Sequence, residues 1–471
     1  MGSGGRIKQT IIGLDRRDAL KMLGAGAALL RWGAAASAVS GTAGPPFVTS
    51  DVARLRRLIM CPPDPDMFAP LSTSDDVLPM PVSVGQAEVD EHAELMRVIR
   101  ASGADILTIP DLLSSAIGAA RAHGAWDTWL RGTHPKLAAD PQAVTATTLL
   151  GRDPATQYRV WPDGSYRHIV DSINSFIFSR DTAVTLPGGV VLLNVGSAQR
   201  VREQVLLRFI FDWAPQLARY PVLFDARQEG MLAEGGDFQL VDEHTLFLGV
   251  GNRTDPRMAP LLARRLQMDV LAVQTRKVEF LRPMGKRLGL RSAFLHLDSY
   301  FTHVADKQVL TVPWFLEAAQ VGKDPYTQYL KGMAADSSVS DDDLKAAREF
   351  MKDFGQVRLF RAGSAEEDTS VSEMKLVDFV RSRGYTVHFV GGDPPASDPI
   401  RHLFTTVLPE HEHQGANVVA TSPGHVIAYE GAAQTHAALR RAGIQVTTFS
   451  GRELWPRDGG PHCLTMPLER G

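Results

Sequence analysis

The same strand–helix–strand plan stands near both ends of this 471-residue chain. Near the N-terminal end, LRRLIMC predicts a strand, AEVDEHAELMRVIRASG predicts an amphipathic helix that stops at a glycine, and ADILTIP predicts the next strand. Near the C-terminal end, NVVATSPGHVIAYE predicts two strands around a Pro-Gly turn, AAQTHAALRRAG a helix and IQVTTFS a strand. Recurrent units of this kind favour a repeat architecture of α/β class, although two clear copies do not prove one.

Two stretches interrupt this plan. Residues 111–170 begin with the helical pattern DLLSSAIGAARAHGAWDTWLRG and become turn-rich as far as Tyr166, which is typical of an insertion between modules. Residues 335–378 form a second soft boundary, where SSVSDDDLKAAREFMKDFG predicts a helix with a capping residue and an acidic first turn.

Composition excludes several classes of protein. The chain is 44% hydrophobic and 22% charged, which is ordinary for a globular protein with a large core. Its formal net charge of −3 argues against a nucleic-acid-binding protein, whose footprint is basic. Two cysteines cannot build a disulfide framework or a thiolate zinc site, but they could form one bridge.

Residues 1–38 have the pattern of an export signal. The stretch DRRDALKMLGAGAALLRWGAAASAVSG has a basic start, a short apolar run and a small-residue A-S-A stretch. The paired Arg16 and Arg17 resemble a twin-arginine signal, with 39–54 as a linker to the folded part. We therefore expect a periplasmic or secreted protein; the alternatives are an amphipathic N-terminal helix and a cytoplasmic location. No later segment is long and apolar enough for a stable membrane anchor.

Carboxylates stand out in two short segments. In FIFSRDTAV, Asp181 follows an apolar run, and at the end of a buried strand it would line a site; the alternative is an ordinary loop aspartate. In EGGDF, Glu234 and Asp237 flank two glycines, which permit a sharp turn. Two carboxylates around such a turn could hold a planar cation, whereas the alternative is a surface β-turn. Arg253 follows in LGVGNRT, after a predicted strand.

Acid–base and nucleophilic groups occur further along. In LHLDSYF, His296 and Asp298 are two residues apart, so on a strand they would share one face and could act together as acid and base. A buried histidine with a structural role is the alternative, and the absence of a third histidine at metal-binding spacing disfavours a zinc site. In RDGGPHCLTMPLERG, the glycines and proline before Cys463 would let backbone amides approach a nucleophilic thiolate. Several carboxylates with a thiolate suit a guanidinium group, whose central carbon is electrophilic.

The ordered set FSRD, EGGD, HLD and GGPHC, with M-P following, resembles the arginine deiminase branch of the guanidine-modifying enzymes. The stretches LRRLIMC…EHAELMRVIRASGADILTIPDLL and ANVVATSPGHVIAYE…LRRAGIQVTTFSGREL are similar to the opening and closing modules of that family. The resemblance covers most of residues 55–468, so residues 55–471 are interpreted as one catalytic domain that carries the insertion at 111–170.

The resemblance implies a five-bladed α/β propeller of ββαβ modules around a pseudo-fivefold axis. It also implies that Cys463 attacks the guanidinium carbon to form a covalent amidino-thioether, and that His296 protonates the leaving ammonia and then activates water. Asp181, Asp298 and Glu234 would hold the guanidinium nitrogens. The products would be citrulline and ammonia.

The resemblance also implies that Arg200 and Arg253 bind the carboxylate of the substrate. Asp237 and Ser175 would make further contacts with the substrate. No cofactor and no metal are implied, and the only partner is a small guanidine compound such as arginine. A homo-oligomer is compatible with the family, but the sequence leaves the oligomeric state open.

The chain departs from the family pattern at two places. Asp458 stands where the family often has an arginine, with Arg457 beside it, and an acidic group pointing inward there would raise the pKa of Cys463. Ser175 stands where the family has an asparagine, although Asn174 is adjacent. The substrate could therefore be a close guanidine compound rather than free arginine.

Three alternative functions stay open on the sequence: an amidinotransferase, a dimethylarginine-type hydrolase, and a non-catalytic guanidine-binding protein of the periplasm. The other cysteine, Cys61, lies at the end of the first predicted strand, and we expect it to be a buried structural thiol. A bridge to Cys463 is the alternative in an oxidising compartment.

Overall fold

The computed structural model describes residues 47–64, 85–153, 158–160, 166–168, 170, 173–275, 294–335, 339–371, 373–395 and 397–471. The predicted export signal (1–38) and the first part of the predicted linker (39–46) lie outside the described residues. Within the described ranges, no helix combines the length and the apolar composition that crossing a bilayer requires.

Short strands follow one another along the described chain. In chain order they are β1 (Leu55–Met60), β2 (Asp105–Thr108), β3 (Tyr158–Val160), β4 (Tyr166–His168), β5 (Ala183–Leu186), β6 (Gly189–Leu192), β7 (Val222–Asp225), β8 (Phe238–Asp242), β9 (Thr245–Val250), β10 (Asp269–Gln274), β11 (Phe301–Ala305), β12 (Gln308–Thr311), β13 (Val357–Phe360), β14 (Glu367–Asp368), β15 (Thr386–Phe389), β16 (Val419–Ser422), β17 (His425–Tyr429), β18 (Gln445–Phe449) and β19 (Met466–Arg470).

Helices alternate with these strands, so the fold is mixed α/β. They are α1 (Gln86–Ala101), α2 (Ile109–Ala122), α3 (Trp126–Thr133), α4 (Ala146–Leu149), α5 (Val201–Trp213), α6 (Met258–Leu266), α7 (Leu297–Tyr300), α8 (Pro325–Ala335), α9 (Asp341–Asp353), α10 (Leu376–Ser382), α11 (Pro399–His402), α12 (Leu408–Glu412) and α13 (Ala433–Arg441), with a π-turn at Leu403–Val407.

One strand-pairing pattern recurs in five sheets. Each has a central strand that pairs antiparallel on one side and parallel on the other: β19-β1-β2, β5-β6-β7, β8-β9-β10, β11-β12-β15 and β16-β17-β18. The third is extended by β13 and β14. Because β19 pairs with β1, the segment that carries Cys463 is fixed against the opening module.

Both modules predicted from the sequence are confirmed, as β1-α1-β2 and as β16-β17-α13-β18. The strand predicted from ADILTIP stops at Thr108, because the Thr108 hydroxyl accepts a hydrogen bond from the amide of Asp111 and caps α2. Pro110 lies in the first turn of α2, where its missing N–H costs nothing.

The predicted insertion is helical at its start, where α2 and α3 pack their apolar faces, but its later part is more regular than expected. It contains α4 and the antiparallel pair β3–β4. Turns make up much of residues 134–153 around α4, whereas the three-residue strands β3 and β4 are too short for periodicity to reveal.

Candidate active site

Cys463 lies between a 3-10 turn (Trp455–Arg457) and β19, and is 6% exposed. The two glycines of GGPHC allow this segment to pack closely. A Cβ atom on Gly459 would lie 2.2 Å from the ring of Phe178, and one on Gly460 would lie 2.5 Å from Oδ1 of Asn417. A larger residue at either position would displace the segment that carries the thiol.

The thiol is held by Asn417 and Asp298. Nδ2 of Asn417 donates to Sγ over 3.0 Å, and Sγ lies 3.4 Å from Oδ2 of Asp298. Oδ1 of Asn417 accepts from the amides of His462 (3.1 Å) and Cys463 (3.3 Å), so one amide side chain fixes both the sulfur and its backbone. The sequence analysis missed Asn417. The one local signal for Asn417 is its position as a polar residue directly before the apolar run VVA, which leads into β16.

Burial raises the pKa of Cys463 well above its ordinary value, and the carboxylates of Asp298 and Asp181 raise it further. The sulfur is therefore a neutral thiol at neutral pH. This environment contrasts with the cationic surroundings that usually activate a cysteine.

His296 is buried against two carboxylates. Its Nε2 lies 2.6 Å from Oε2 of Glu234, and its Nδ1 lies 3.9 Å from Oδ1 of Asp181. Burial alone would lower the pKa of His296, but Asp181 and Glu234 outweigh it and raise the pKa to about 9. The imidazole is thus protonated at neutral pH and can donate a proton.

The expected strand at LHLDSYF is wrong. His296 is extended and caps α7 (Leu297–Tyr300), and Asp298 lies in the first turn of that helix. Both side chains still face one point, since a Cβ atom on Gly236 would lie 2.8 Å from Nδ1 of His296 and 2.9 Å from Oδ1 of Asp298. The apolar alternation of the segment was misleading because α7 is a single short turn.

The predicted turn at EGGDF is confirmed as a 3-10 turn, Gly235–Asp237. A Cβ atom on Gly235 would lie 1.9 Å from the carbonyl oxygen of Arg180, so the glycines let this turn fit between the FSRD and HLD segments. Asp237 accepts from Oγ1 of Thr254 (2.7 Å) and from the amide of Leu297 (3.0 Å). Burial raises the pKa of Asp237 to about 7, although both hydrogen bonds oppose the shift. Its two oxygens are occupied by protein donors, which join EGGD to α7.

Asp181 lies in a 3-10 turn (Ser179–Thr182) that precedes β5, not at the end of a strand as expected. The aromatic and β-branched run FIF favoured a strand locally, but it forms turns that pack against the Cys463 segment. Nε of the neighbouring Arg180 donates to the carbonyl of His462 (3.3 Å). Oδ1 of Asp181 and Oδ1 of Asp298 are buried and accept no hydrogen bond from the described residues.

The two arginines predicted to bind the substrate carboxylate contact the carboxylates of the site instead. Nη1 of Arg200 donates to Oδ2 of Asp181 (2.6 Å), and Nη2 lies 2.8 Å from Oε2 of Glu203. Nη1 of Arg253 donates to Oε1 of Glu234 over 3.2 Å. Arg253, His296 and Arg200 together hold the pKa of Glu234 well below its usual value against the opposing effect of burial.

Ser175 enters this network through its backbone, since its carbonyl oxygen accepts from Nη2 of Arg200 (3.1 Å). Glu203, on the first turn of α5, was missed by the sequence analysis. Its burial raises its pKa to about 7, partly offset by Arg200.

Arg457 and Asp458, at the place where the chain departs from the family pattern, lie next to residues outside the Cys463 site. Nη2 of Arg457 donates to Oε2 of Glu88 on α1 over 2.5 Å. Asp458 is in the left-handed region with φ of 66°. Burial raises the pKa of Glu412, and the charge of Asp458 adds to this shift. His462, also missed, lies with Nδ1 2.8 Å from Oδ2 of Asp298.

Asp181, Glu234 and His296 each offer one ligand atom, and these atoms lie within 4.8 Å of one another. Such a set could hold a metal only with a neutral imidazole. Because the pKa of His296 is raised to about 9 and Arg200 and Arg253 already pair with the carboxylates, the geometry favours an organic cation over a metal ion.

Cys61, at the end of β1, is fully buried, and Nη2 of Arg152 lies 3.4 Å from its Sγ. Burial raises the pKa of Cys61 to about 11, although Arg152 opposes the shift. Both cysteines are free, so Cys61 is a buried thiol as predicted and does not bridge to Cys463.

A family model described as "Arginine deiminase" matches residues 143–353 and 405–470. The chain belongs to the arginine deiminase family. Arginine deiminases are hydrolases that act on C–N bonds of linear amidines.

The arginine deiminase of Mycobacterium avium (strain 104) is 27% identical over 407 residues, which cover 81% of this chain and 87% of the relative. That of Mycobacterium tuberculosis (strain ATCC 25618 / H37Rv) is 28% identical over 453 residues, covering 89% and 97%. Among solved structures, the amidinotransferase SxtG of Microseira wollei aligns with 91% of this chain and 98% of its own, at 13% identity and a TM-score of 0.47.

Proposed function

We propose that this protein is an arginine deiminase that converts L-arginine and water to citrulline and ammonia. Its membership of the family supports this proposal. The observation that carries it concerns two buried carboxylate oxygens, Oδ1 of Asp181 and Oδ1 of Asp298, which have no hydrogen-bond donor among the described residues. They belong to the two residues whose charges act on the thiol of Cys463. A guanidinium group supplies the missing donors in a planar array.

The bound guanidinium also changes the charge around the sulfur. In the free protein, burial and two carboxylates keep Cys463 protonated. A cation between those carboxylates opposes their effect and lowers the pKa of the thiol, so that the substrate itself promotes formation of the thiolate that attacks it. The thiol proton leaves to solvent as the cation binds, because His296 is already protonated.

Attack of Sγ on the guanidinium carbon forms a C–S bond and a tetrahedral intermediate. The protonated His296 then donates its proton to the departing nitrogen, and ammonia leaves as the C–N bond breaks. Glu234, 2.6 Å from Nε2, stabilises the charged form of the imidazole before this step.

The now neutral His296 takes a proton from a water molecule, whose oxygen attacks the amidino-thioether carbon. Collapse of this second tetrahedral intermediate breaks the C–S bond, releases citrulline and regenerates the cysteine. Asn417 supports the sulfur in both half-reactions through its 3.0 Å hydrogen bond.

We further propose that the five sheets are the blades of a propeller around a pseudo-fivefold axis, with Cys463 near that axis. The identical pairing in each sheet and the closure of β1 by β19 support this arrangement. A crystal structure in which the five sheets are not related by successive rotations about one axis would overturn it.

Purified protein incubated with L-arginine tests the activity, with citrulline and ammonia measured together. We expect both products in equal amounts. Amidine transfer to glycine or ornithine without ammonia would identify an amidinotransferase, and turnover of dimethylarginine in preference to arginine would identify the third enzyme class. Binding without turnover would identify a guanidine-binding protein.

We also propose twin-arginine export to the periplasm, on the basis of Arg16, Arg17 and the apolar run that follows them. Replacement of both arginines by lysine should retain the full-length protein in the cytoplasm. Export that is unaffected by this double substitution would refute the proposal.

A further inference from the structure

His462, directly before Cys463, is buried beside the carboxylate of Asp298. It is 2% exposed, and its Nδ1 lies 2.8 Å from Oδ2 of Asp298. Because a carboxylate oxygen can only accept, Nδ1 carries the hydrogen and donates it. Burial and the charge of Arg180 lower the pKa of His462, so the imidazole is neutral at neutral pH. His462 is therefore a hydrogen-bond donor to Asp298 and not a second acid.

The two oxygens of Asp298 face different groups. Oδ2 is shared by Nδ1 of His462 and by Sγ of Cys463, which lies 3.4 Å away. Oδ1 accepts no hydrogen bond from the described residues. It faces the proposed acid, since a Cβ atom on Gly236 would lie 2.9 Å from Oδ1 and 2.8 Å from Nδ1 of His296. The oxygen that remains for a ligand is thus the one on the side of His296.

The peptide of His462 is held at both ends. Its amide donates to Oδ1 of Asn417 (3.1 Å), and its carbonyl accepts from Nε of Arg180 (3.3 Å) and from Oγ1 of Thr465 (3.0 Å). Nδ2 of Asn417 also donates to the carbonyl of Asp298 over 3.1 Å. One amide side chain therefore joins the backbones of Asp298 and His462. These fixed backbones bring any side chain at position 462 to the same carboxylate.

Loss of the Nδ1 donor would affect both oxygens of Asp298. Without it, the negative charge on Oδ2 would act undiminished on Sγ of Cys463, and ionisation of the thiol would bring two anions together. The carboxylate could also turn, so that Oδ1 would no longer be fixed toward His296. The first effect would raise the pKa of Cys463 further, and the second would weaken the binding of a planar cation.

We propose that His462 is a positioning residue that holds Asp298 with Oδ1 free for the guanidinium group and shields Sγ of Cys463 from the charge on Oδ2. The identity of the cation rests on the proposed function. The hydrogen bond and its effect on the thiol belong to the free protein and can be measured without turnover. His462 acts through Asp298 and transfers no proton to the substrate.

Alkylation of the free protein by iodoacetamide tests the effect on the thiol. Cys61→Ala is the background, so that Cys463 alone reacts. His462→Leu should slow alkylation at a fixed pH about three- to tenfold, because a higher thiol pKa leaves less thiolate. His462→Asn should restore the rate to within about twofold, because Nδ2 of asparagine can take the position of Nδ1. Unchanged or faster alkylation in His462→Leu would overturn the proposal.

A second variant, His462→Gln, covers the case in which His462→Leu does not fold. Its amide lies one bond further from the backbone and misses Oδ2, so alkylation should slow as in His462→Leu. With arginine, kcat/KM should fall about 10- to 100-fold in His462→Leu and His462→Gln, but at most about threefold in His462→Asn. Equal losses in His462→Asn and His462→Gln would assign His462 a packing role and overturn the proposal.

His436→Gln is the matched control. His436 on α13 is also a buried histidine, 4% exposed, with a pKa lowered to about 4 by burial and by Arg440. Its replacement should leave alkylation and turnover within about twofold of the background protein, because it removes an imidazole but no contact with Asp298. A loss equal to that of His462→Gln would show that removal of any buried imidazole is enough, and would overturn the proposal.

A double substitution tests whether His462 acts through Asp298. In Asp298→Asn, His462→Leu should change the alkylation rate less than about twofold, because the charge on Oδ2 has already been removed. A further loss of about threefold or more would show that His462 acts independently of Asp298 and would overturn the proposal. If the wild-type protein makes no citrulline, the proposed function fails, while this alkylation pattern would still support the role of His462. Citrulline formation without the pattern would refute that role alone.

Discussion

The two cysteines of this protein lie in the same part of the fold but in opposite electrostatic surroundings. Cys61 at the end of β1 lies beside the cation of Arg152, whereas Cys463 before β19 lies among the carboxylates of Asp298 and Asp181. Burial raises the pKa of both thiols. If a neighbouring cation were the criterion for a reactive cysteine, Cys61 would be chosen as the nucleophile. The acid–base groups of the proposed mechanism lie instead around Cys463.

The difference shows how a nucleophile can be matched to a cationic substrate. In the proposed mechanism, the carboxylates beside Cys463 keep the thiol unreactive until a guanidinium group binds between them, and the same carboxylates orient that group. Cys61 has no comparable switch, because burial outweighs the fixed cation of Arg152 and raises the pKa of this thiol to about 11.

Replacement of Cys463, the proposed nucleophile, should give the largest effect. We expect Cys463→Ser to lower kcat by roughly 10,000-fold or more, since a serine hydroxyl among carboxylates does not ionise. Citrulline formation at saturating arginine is the measurement, and Cys61→Ala, which should keep kcat within about twofold, is the matched control. Loss of activity in Cys61→Ala with retention in Cys463→Ser would reverse the assignment.

Replacement of His296, the proposed acid, should give the next largest effect. His296→Gln keeps the size and one donor but cannot transfer a proton, so kcat should fall about 100- to 10,000-fold. Stopped-assay mass spectrometry should then show whether the amidino-thioether accumulates on Cys463. Unchanged kcat would remove His296 from the mechanism.

Removal of the Asp298 carboxylate should change the pKa of the thiol and the rate of turnover in ways that can be measured separately. In Asp298→Asn, the pKa of Cys463 in the free protein should fall, because a charge that raises it has been removed. The kcat should nevertheless fall about 10- to 100-fold, because the substrate cation loses a charged acceptor. Thiolate ultraviolet absorbance as a function of pH gives the pKa. A higher pKa in this variant would contradict the proposed role of the carboxylates.

The pH dependence should report His296. Its pKa is raised to about 9, so kcat at saturating arginine should fall as the pH rises through a value at or somewhat below 9, since the bound cation opposes the imidazolium charge. The same shift stabilises the fold fully below the ordinary pKa of about 6.5, and this contribution is lost as the pH rises through about 9. An alkaline limb that persists in the residual activity of His296→Gln would assign it to another group.

The smallest effect should come from the structural thiol. Cys61→Ala should lower the free energy of unfolding by about 1 kcal/mol through lost packing, as measured by urea denaturation. A loss of several kcal/mol would show that the contact with Arg152 stabilises the fold more than its geometry suggests.

The two terminal modules could be predicted from the sequence because their helices and strands are regular. These elements end at glycines or capping residues, as at Gly103 and Thr108. It failed at HLD and FSRD, where single turns replace the predicted strands. There, packing of the motifs against one another overrides local preference. Asn417 and His462 were missed because isolated polar residues carry no periodic signal.

The order of the motifs and the chemistry of their side chains were readable in the sequence by itself, because residue type, spacing and short-range periodicity are local properties. Their mutual positions were not: Asp298 and Cys463 are separated by 165 residues along the chain yet lie 3.4 Å apart. Only the tertiary structure decided that Arg200 and Arg253 pair with the carboxylates of the site and that Arg457 pairs with Glu88. Such choices depend on which groups burial brings together, because a charge removed from water must find its partner within a few ångströms.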